Sequence, residues 1–352
     1  MTKRERVRTA MNRQQPDRVP KAASFTPAVQ KLFEEKTGEK NPAKYFDYDV
    51  AYVGFKGPVT TPDWSPWYPQ GLPAGTTISE YGTAHKPGGF YHFFQLDYPM
   101  KNVTSVAQME EFPWPDITAP ERHQHLEADV QRLHAEGWYV IGSVGHIWET
   151  AWQMTSMEKL MMDFVEHPDQ ASYVLDRITE DQVFRAKRLA QAGVDQLHCG
   201  DDVAMQHKMM MHPNTWRQWL KPRWAKVWKA AREINPEIQI WYHSDGNVEA
   251  IVEDLIEIGM NILNPVQPEC MDPVMMKAKY GDRIAFWGCV GTQTTFPFGT
   301  PDEMRQTVKH LIETVGKGGG LFLAPTHVLE PDVPWENILA FFEAIRDYGN
   351  YE

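Results

Sequence analysis

From about Trp138 onward, short apolar runs alternate with amphipathic stretches of helical period, and nothing else in the chain constrains its fold as strongly. The apolar runs cover 139–144 (YVIGSV), 196–199 (QLHC), 238–243 (IQIWYH), 261–266 (NILNPV), 284–288 (IAFWG) and 321–325 (LFLAP). Between them lie helical patterns at 157–164, 169–192, 213–234, 248–258, 273–280 and 301–315. A strand followed by a helix, recurring every roughly 25 to 45 residues, builds a parallel sheet from βα units. One helix start is written locally. Thr300-Pro301-Asp302-Glu303 puts a capping hydroxyl, a proline and two acids where a helix N-terminus accepts them.

An open doubly wound sheet and a closed barrel both satisfy this rhythm. The open sheet carries a Gly-rich phosphate loop after its first strand, whereas GKGGG (316–320) precedes a strand. A further strand near 18–24 (RVPKAAS) and one unplaced bring the count to about eight, the number that closes an α/β barrel. The expectation is therefore an α/β fold, a (β/α)8 TIM barrel in a single domain over 1–352, with an elaborated N-terminal segment of covering loops over about 30–115.

Composition narrows the function. Lys and Arg total 35 against 47 Asp and Glu, a net charge of −12 with both signs scattered. An acidic surface without basic runs disfavours nucleic acid. No window approaches the about 18 apolar residues that span a bilayer, and MTKRERVRTAMNRQQ lacks the apolar core of a signal peptide, so a cytoplasmic location is expected. Three cysteines (Cys199, Cys270, Cys289) make a disulfide framework improbable. The Trp, Tyr and Phe residues of the first hundred positions either pack as a layer over the barrel or line a pocket mouth or a docking face. A homodimer is compatible with them, but no face is defined.

In an α/β barrel chemistry gathers at the C-terminal ends of the strands, and here those ends are polar. They lead into His146 and Glu149, into Asp201 and Asp202, into His243-Ser244-Asp245, into Asn264, Gln267 and Cys270, into Cys289 and Thr292, and into Thr326 and His327. Six strands ending this way imply a convergent pocket. Zinc takes about four His, Cys or carboxylate ligands, and the candidates are His243, Asp245 and His327, with Cys270 as a fourth. The simpler account makes Asp245 a helix cap, His243 a hydrogen-bonding residue and Cys270 a small apolar filler. Cys199 and Cys289 read as core.

These segments resemble the uroporphyrinogen decarboxylase superfamily. RERVRTAMNRQQPDRVP is similar to its opening helix and turn, and IWETAWQMTSMEKLMMD to one of its helices. WYHSDGNV, NPVQPE, KAKYGDRIAFWGCVGTQ and GGGLFLAPTHVLEPDVPWENILAFFEA resemble its later strands in order, so that the likeness runs over about 3–346. The decarboxylase branch implies an arginine-rich segment and a catalytic aspartate. KAASFTPAVQKLF has no arginine pair, and FDYDVAYVGF offers only Asp47 and Asp49. The methyltransferase branch implies zinc held by a His-x-Cys pair and a distant Cys, positions that match His243, Asp245 and His327.

That resemblance implies a Zn2+-dependent methyltransferase moving a methyl group between a small methylated substrate, such as an O-methyl compound, and a corrinoid carried by a partner protein. In it Asp202 or Glu149 supplies the acid, Asn264 and Gln267 orient the substrate, and His146 and Tyr242 line the pocket. The alternatives are a decarboxylase or lyase acting on a non-porphyrin carboxylic acid and a non-catalytic small-molecule-binding subunit.

Overall fold

The computed structural model describes residues 1–90 and 93–351. Its ten strands are β1 (Val50–Val53), β2 (Thr77–Ile78), β3 (Ala84–Phe90), β4 (Phe93–Asp97), β5 (Tyr139–Gly145), β6 (Gln196–Gly200), β7 (Gln239–His243), β8 (Ile262–Asn264), β9 (Ala285–Val290) and β10 (Leu321–Pro325). Seven form one sheet in the order β1-β5-β6-β7-β8-β9-β10, with every neighbouring pair parallel. The six runs expected after Trp138 are all strands, and the unplaced one is β1.

The two edges of this sheet meet across the segment 20–25. Leu323 N donates to Pro20 O at 2.9 Å, Ala22 N to Leu323 O at 3.3 Å, and Asp49 N to Lys21 O at 3.1 Å. Parallel bridges at Lys21–Leu323 and Phe25–Leu329 mark the same alignment. The segment occupies the eighth position of the ring without a regular ladder, since Pro20 has no N–H to contribute.

The seam is fastened by charge. The fully buried Asp49 carboxylate accepts from Arg6 Nη1 at 2.8 Å, Arg18 Nη1 at 2.9 Å and Lys21 N at 2.9 Å. Asp49 immediately precedes β1, at the end of the barrel opposite the site, and its oxygens are spent on closure. Nothing there resembles a catalytic aspartate.

Helices cover the ring from outside, the longest being Pro168–Ala192. The strands β8, β9 and β10 are buried on both faces, while β1, β5 and β7 leave some residues partly or fully exposed. The expected helix over 213–234 breaks at Leu220 into Pro213–Trp219 and Lys221–Arg232; Pro222 can neither donate to a preceding turn nor fit against it. The stretch 248–258 likewise divides into a 3-10 turn Glu249–Ile251 and a helix Val252–Glu257. Cys199 and Cys289 are buried, and all three cysteines are free. Between β1 and β5, β2-β3-β4 form an antiparallel sheet, while Trp64, Trp67 and Trp114 pack around Phe112. Among the described residues no helix is long and apolar enough to cross a membrane.

Candidate active site

Strand parity decides which side chains enter the barrel. On β7, Trp241 and His243 point inward, their rings parallel to within 12° and 5.6 Å apart. Trp241 also stacks on His198 of β6 at 3.7 Å, and Trp287 of β9 stacks on Phe322 of β10 at 3.4 Å. Tyr242, between Trp241 and His243, points the other way. Its ring is fully buried against Trp224 and Trp228 of the outer helix Lys221–Arg232, with centroids 6.0 and 5.9 Å away. The sequence-based expectation that Tyr242 lines the pocket is thereby corrected, because alternate residues of a strand face opposite sides.

His243 is at the centre of the rim. Its Nδ1 lies 2.6 Å from Asn264 Oδ1, and Asn264 Nδ2 donates to Trp287 O at 3.0 Å. With the amide nitrogen committed to a carbonyl, Asn264 can only accept from the imidazole. Nδ1 therefore carries a proton, and Nε2 is the ring nitrogen left to meet a ligand. That nitrogen faces Asp202 Oδ1 at 3.5 Å and Asp245 Oδ1 at 4.0 Å, and the ligand atoms of Asp202, His243 and Asp245 all lie within 4.8 Å of one another. Donors held at about 2.0–2.1 Å by one tetrahedral zinc stand roughly 3.3 Å apart, so a small contraction would suffice.

Two further features suit a cation. Asp245 Oδ1 is buried without a hydrogen-bond partner, a costly state that an ion relieves. An imidazole whose second nitrogen is fixed by an amide is also the usual arrangement around a bound metal. Burial pushes the Asp245 carboxyl up, while His243 and His327 pull it down. The group therefore fits a divalent ion, though with different members from those expected. Asp202, expected as an acid, stands beside His243 and Asp245, whereas Cys270 and His327 lie outside the group of three. Cys270 Sγ is 3.6 Å from Gln267 Oε1, and its thiol is pushed up by burial and by Glu269 and Asp245. His327, exposed beyond β10, is near enough to lower the Asp245 carboxyl electrostatically.

The backbone makes this crowding possible. A Cβ on Gly200 would come within 2.6 Å of His243 O, so only glycine lets β6 pass so close to the histidine. Gly246, at φ +82°, turns the chain after Asp245, and its N–H donates to Gln267 Oε1 at 2.6 Å. Gln267 thus holds the Asp245 loop; its carboxamide oxygen is committed to that bond. Asp202 Oδ1 accepts from Asp245 N at 2.8 Å, tying the two loops together.

A second cluster adjoins the first: His146, Glu149 and Asp201. Glu149 Oε2 is 2.6 Å from His146 Nδ1 and accepts from Asp202 N at 3.1 Å. Burial opposes charge on His146, but Glu149, Asp201 and Asp202 outweigh it and lift the imidazole to about 9. Glu149 is held below the usual carboxylate range, chiefly by His146 against the opposing effect of burial. The proton of the pair therefore resides on His146 at neutral pH, and Glu149, expected as a proton donor, is the carboxylate that keeps it there. Asp201, pushed up to about 7 by burial, accepts from Ile147 N at 2.9 Å, Glu149 N at 3.1 Å and Trp224 Nε1 at 2.8 Å. It caps the helix Trp148–Thr155 from a neighbouring loop. Its partners are distant in sequence, and no local signal announces that role.

The family model of uroporphyrinogen decarboxylase (URO-D) matches residues 98–348. The chain belongs to that family. Within it, the chain resembles the corrinoid-dependent methyltransferase branch. It is 28% identical over 209 residues to the methylcobamide:CoM methyltransferase MtaA of Methanosarcina barkeri, covering 59% of this chain and 58% of that relative, so it spans less than two thirds of the relative's length. It is 31% identical over 77 residues to a uroporphyrinogen decarboxylase of Psychromonas ingrahamii, covering 22% of this chain and 21% of that protein. A methyltransferase from Methanosarcina mazei shares this fold across 99% of both chains, with a TM-score of 0.68 and 19% identity.

Proposed function

We propose that this URO-D family protein is a zinc-dependent methyltransferase that moves a methyl group between a small O-methyl compound and a corrinoid carried by a partner protein. The observation that carries this reading is the inward His243 Nε2, its ring oriented by Asn264, facing two carboxylates, one with a buried oxygen lacking a hydrogen-bond partner. Similarity to MtaA supports methyl transfer as the class of reaction.

Asp202, His243 and Asp245 would hold the ion. Oxygen and imidazole donors make a harder site than thiolates, suited to polarising an ether oxygen, and this is the chemistry zinc would supply there. The protein's own groups do the rest. When the methyl carbon leaves, the departing oxygen keeps the electron pair of the broken C–O bond and takes up a proton. His146, held as an imidazolium by Glu149, would give that proton. Asn264 keeps His243 in one tautomer, and Gln267 keeps the Asp245 loop in place.

Elemental analysis of the purified protein tests the metal, and incubation with methyl ethers and free cob(I)alamin, followed by its visible spectrum, tests the transfer. The parent should carry zinc and methylate the corrinoid, and His243→Ala should lose both. A protein that refuses added zinc, or an H243A variant that transfers methyl groups at the parent rate, would defeat the proposal.

A further inference from the structure

Beside the His146–Glu149 pair, under the N-terminal cover, lies a cavity of about 390 Å³, within the size range of small-molecule sites. Its walls come from the ends of β1 and β5, the helices Trp148–Thr155 and Pro168–Ala192, and the segment around Glu80. His146 is shared between this cavity and the candidate site.

Gln182 is the informative wall residue. It is only 2% exposed, and its Nε2 donates to His146 O at 3.0 Å. That carbonyl fixes the orientation of the amide, because the flipped form would set two acceptors against each other. Gln182 Oε1 is consequently a buried acceptor with no partner in the protein. Burying an unmet acceptor is unfavourable, and a ligand hydroxyl in the cavity would satisfy it. Ser143 adds a second polar group. Although it belongs to a barrel strand, it is exposed, because its face opens into the cavity.

The remaining wall narrows the ligand further. The charged groups already have opposite charges: Arg185 Nη2 is 2.6 Å from Glu80 Oε1, and His146 is paired with Glu149. One lining ring, that of Phe55, has the Arg185 guanidinium 5.1 Å from its centroid. The Tyr81 hydroxyl is spent on Asp181 at 3.0 Å. What remains open mixes neutral hydrogen-bonding groups with apolar ones, and of the Phe55 and Tyr81 rings the first has Arg185 over one face while the second is only 8% exposed, which leaves a planar ligand little to stack on.

We propose that this cavity binds the non-reacting part of the substrate and selects a neutral, aliphatic, hydroxyl-rich methyl ether over an aryl methyl ether. The selection rests on the methyl-transfer reading above, but it is tested apart from it. Isothermal titration of the full-length protein would compare a monomethyl hexose ether, its fully O-methylated form and ortho-methoxyphenol. The hexose monoether should bind at least about tenfold more tightly than either of the others, the ratio expected of one or two well-placed hydrogen bonds. Gln182→Met should remove most of that preference and Ser143→Ala part of it, with zinc content unchanged in both. Equal binding of the three ligands, a preference for ortho-methoxyphenol, or full preference retained in Q182M would overturn the proposal. If the preference is present but no methyl reaches cob(I)alamin, the cavity assignment stands and the transferase reading falls; the reverse result separates them the other way.

Discussion

Replacing Asn264 by Leu tests the chain of contacts from which the metal proposal is built. The substitution keeps the approximate volume and removes two hydrogen bonds, the 2.6 Å contact with His243 Nδ1 and the 3.0 Å donation to Trp287 O. Without its acceptor the imidazole can turn and exchange tautomers, so Nε2 no longer faces Asp202 and Asp245 in a fixed orientation. Loss of such an orienting partner lowers metal affinity about 10- to 100-fold, which corresponds to about 1.4–2.7 kcal/mol. The metal-free protein should also lose stability, about 1–3 kcal/mol for each buried group left unmet, less what the added apolar contact returns. Zinc affinity is read by competition with a chromophoric chelator, and stability by urea unfolding of the metal-free protein. The decisive comparison is with His243→Ala. If H243A abolishes zinc binding while N264L binds as the parent does, orientation by Asn264 is not what prepares the histidine. If H243A binds zinc normally, the ion is held elsewhere.

Asp201→Ala should destabilise the protein by roughly 3–5 kcal/mol, since three buried N–H groups lose one acceptor; a loss below about 1 kcal/mol by urea unfolding would contradict its role as a cap. Because burial lifts Asp201 to about 7, the folded state retains a proton that the unfolded chain gives up near pH 4. Its contribution to stability therefore declines as pH rises from about 4 to about 7, and Asp201→Asn should flatten that part of the profile. For His146 the sign is the same in a higher pH window: lifted to about 9, it adds stability that is complete below its ordinary value near 6.5 and fades as pH rises through 9. His146→Gln should erase that alkaline slope, and an unchanged slope would show that another group produces it. Tyr242→Phe should leave zinc and ligand binding as in the parent, because the ring faces the outer helices; altered ligand affinity would put Tyr242 back in the pocket.

Much of the fold could be read locally because strands and helices are written in local periodicity. The alternation after Trp138 marks the strands, and the rule that barrel chemistry sits at strand ends points to His146, Glu149, Asp202, His243, Asp245 and Asn264 from the sequence alone. What could not be read was which way a strand residue faces. When both faces of a strand are buried, apolar residues fill both and the period of two disappears, so Tyr242 and His243 look equally suited to a pocket although only one enters it. Nor does spacing along the chain reveal which loops touch. Asp202 reaches His243 because a glycine at position 200 lets β6 run against β7, while Cys270 turns toward Gln267 and His327 stays at the rim. Asp49 closes the ring at the opposite end through Arg6 and Arg18. The sequence by itself determined the rhythm of strands and helices and the polar groups offered at the strand ends, since both depend on neighbours a few residues apart. Only the closed barrel decided which of those groups meet, because their separations are set by strand register and ring closure, which couple residues tens to hundreds of positions apart.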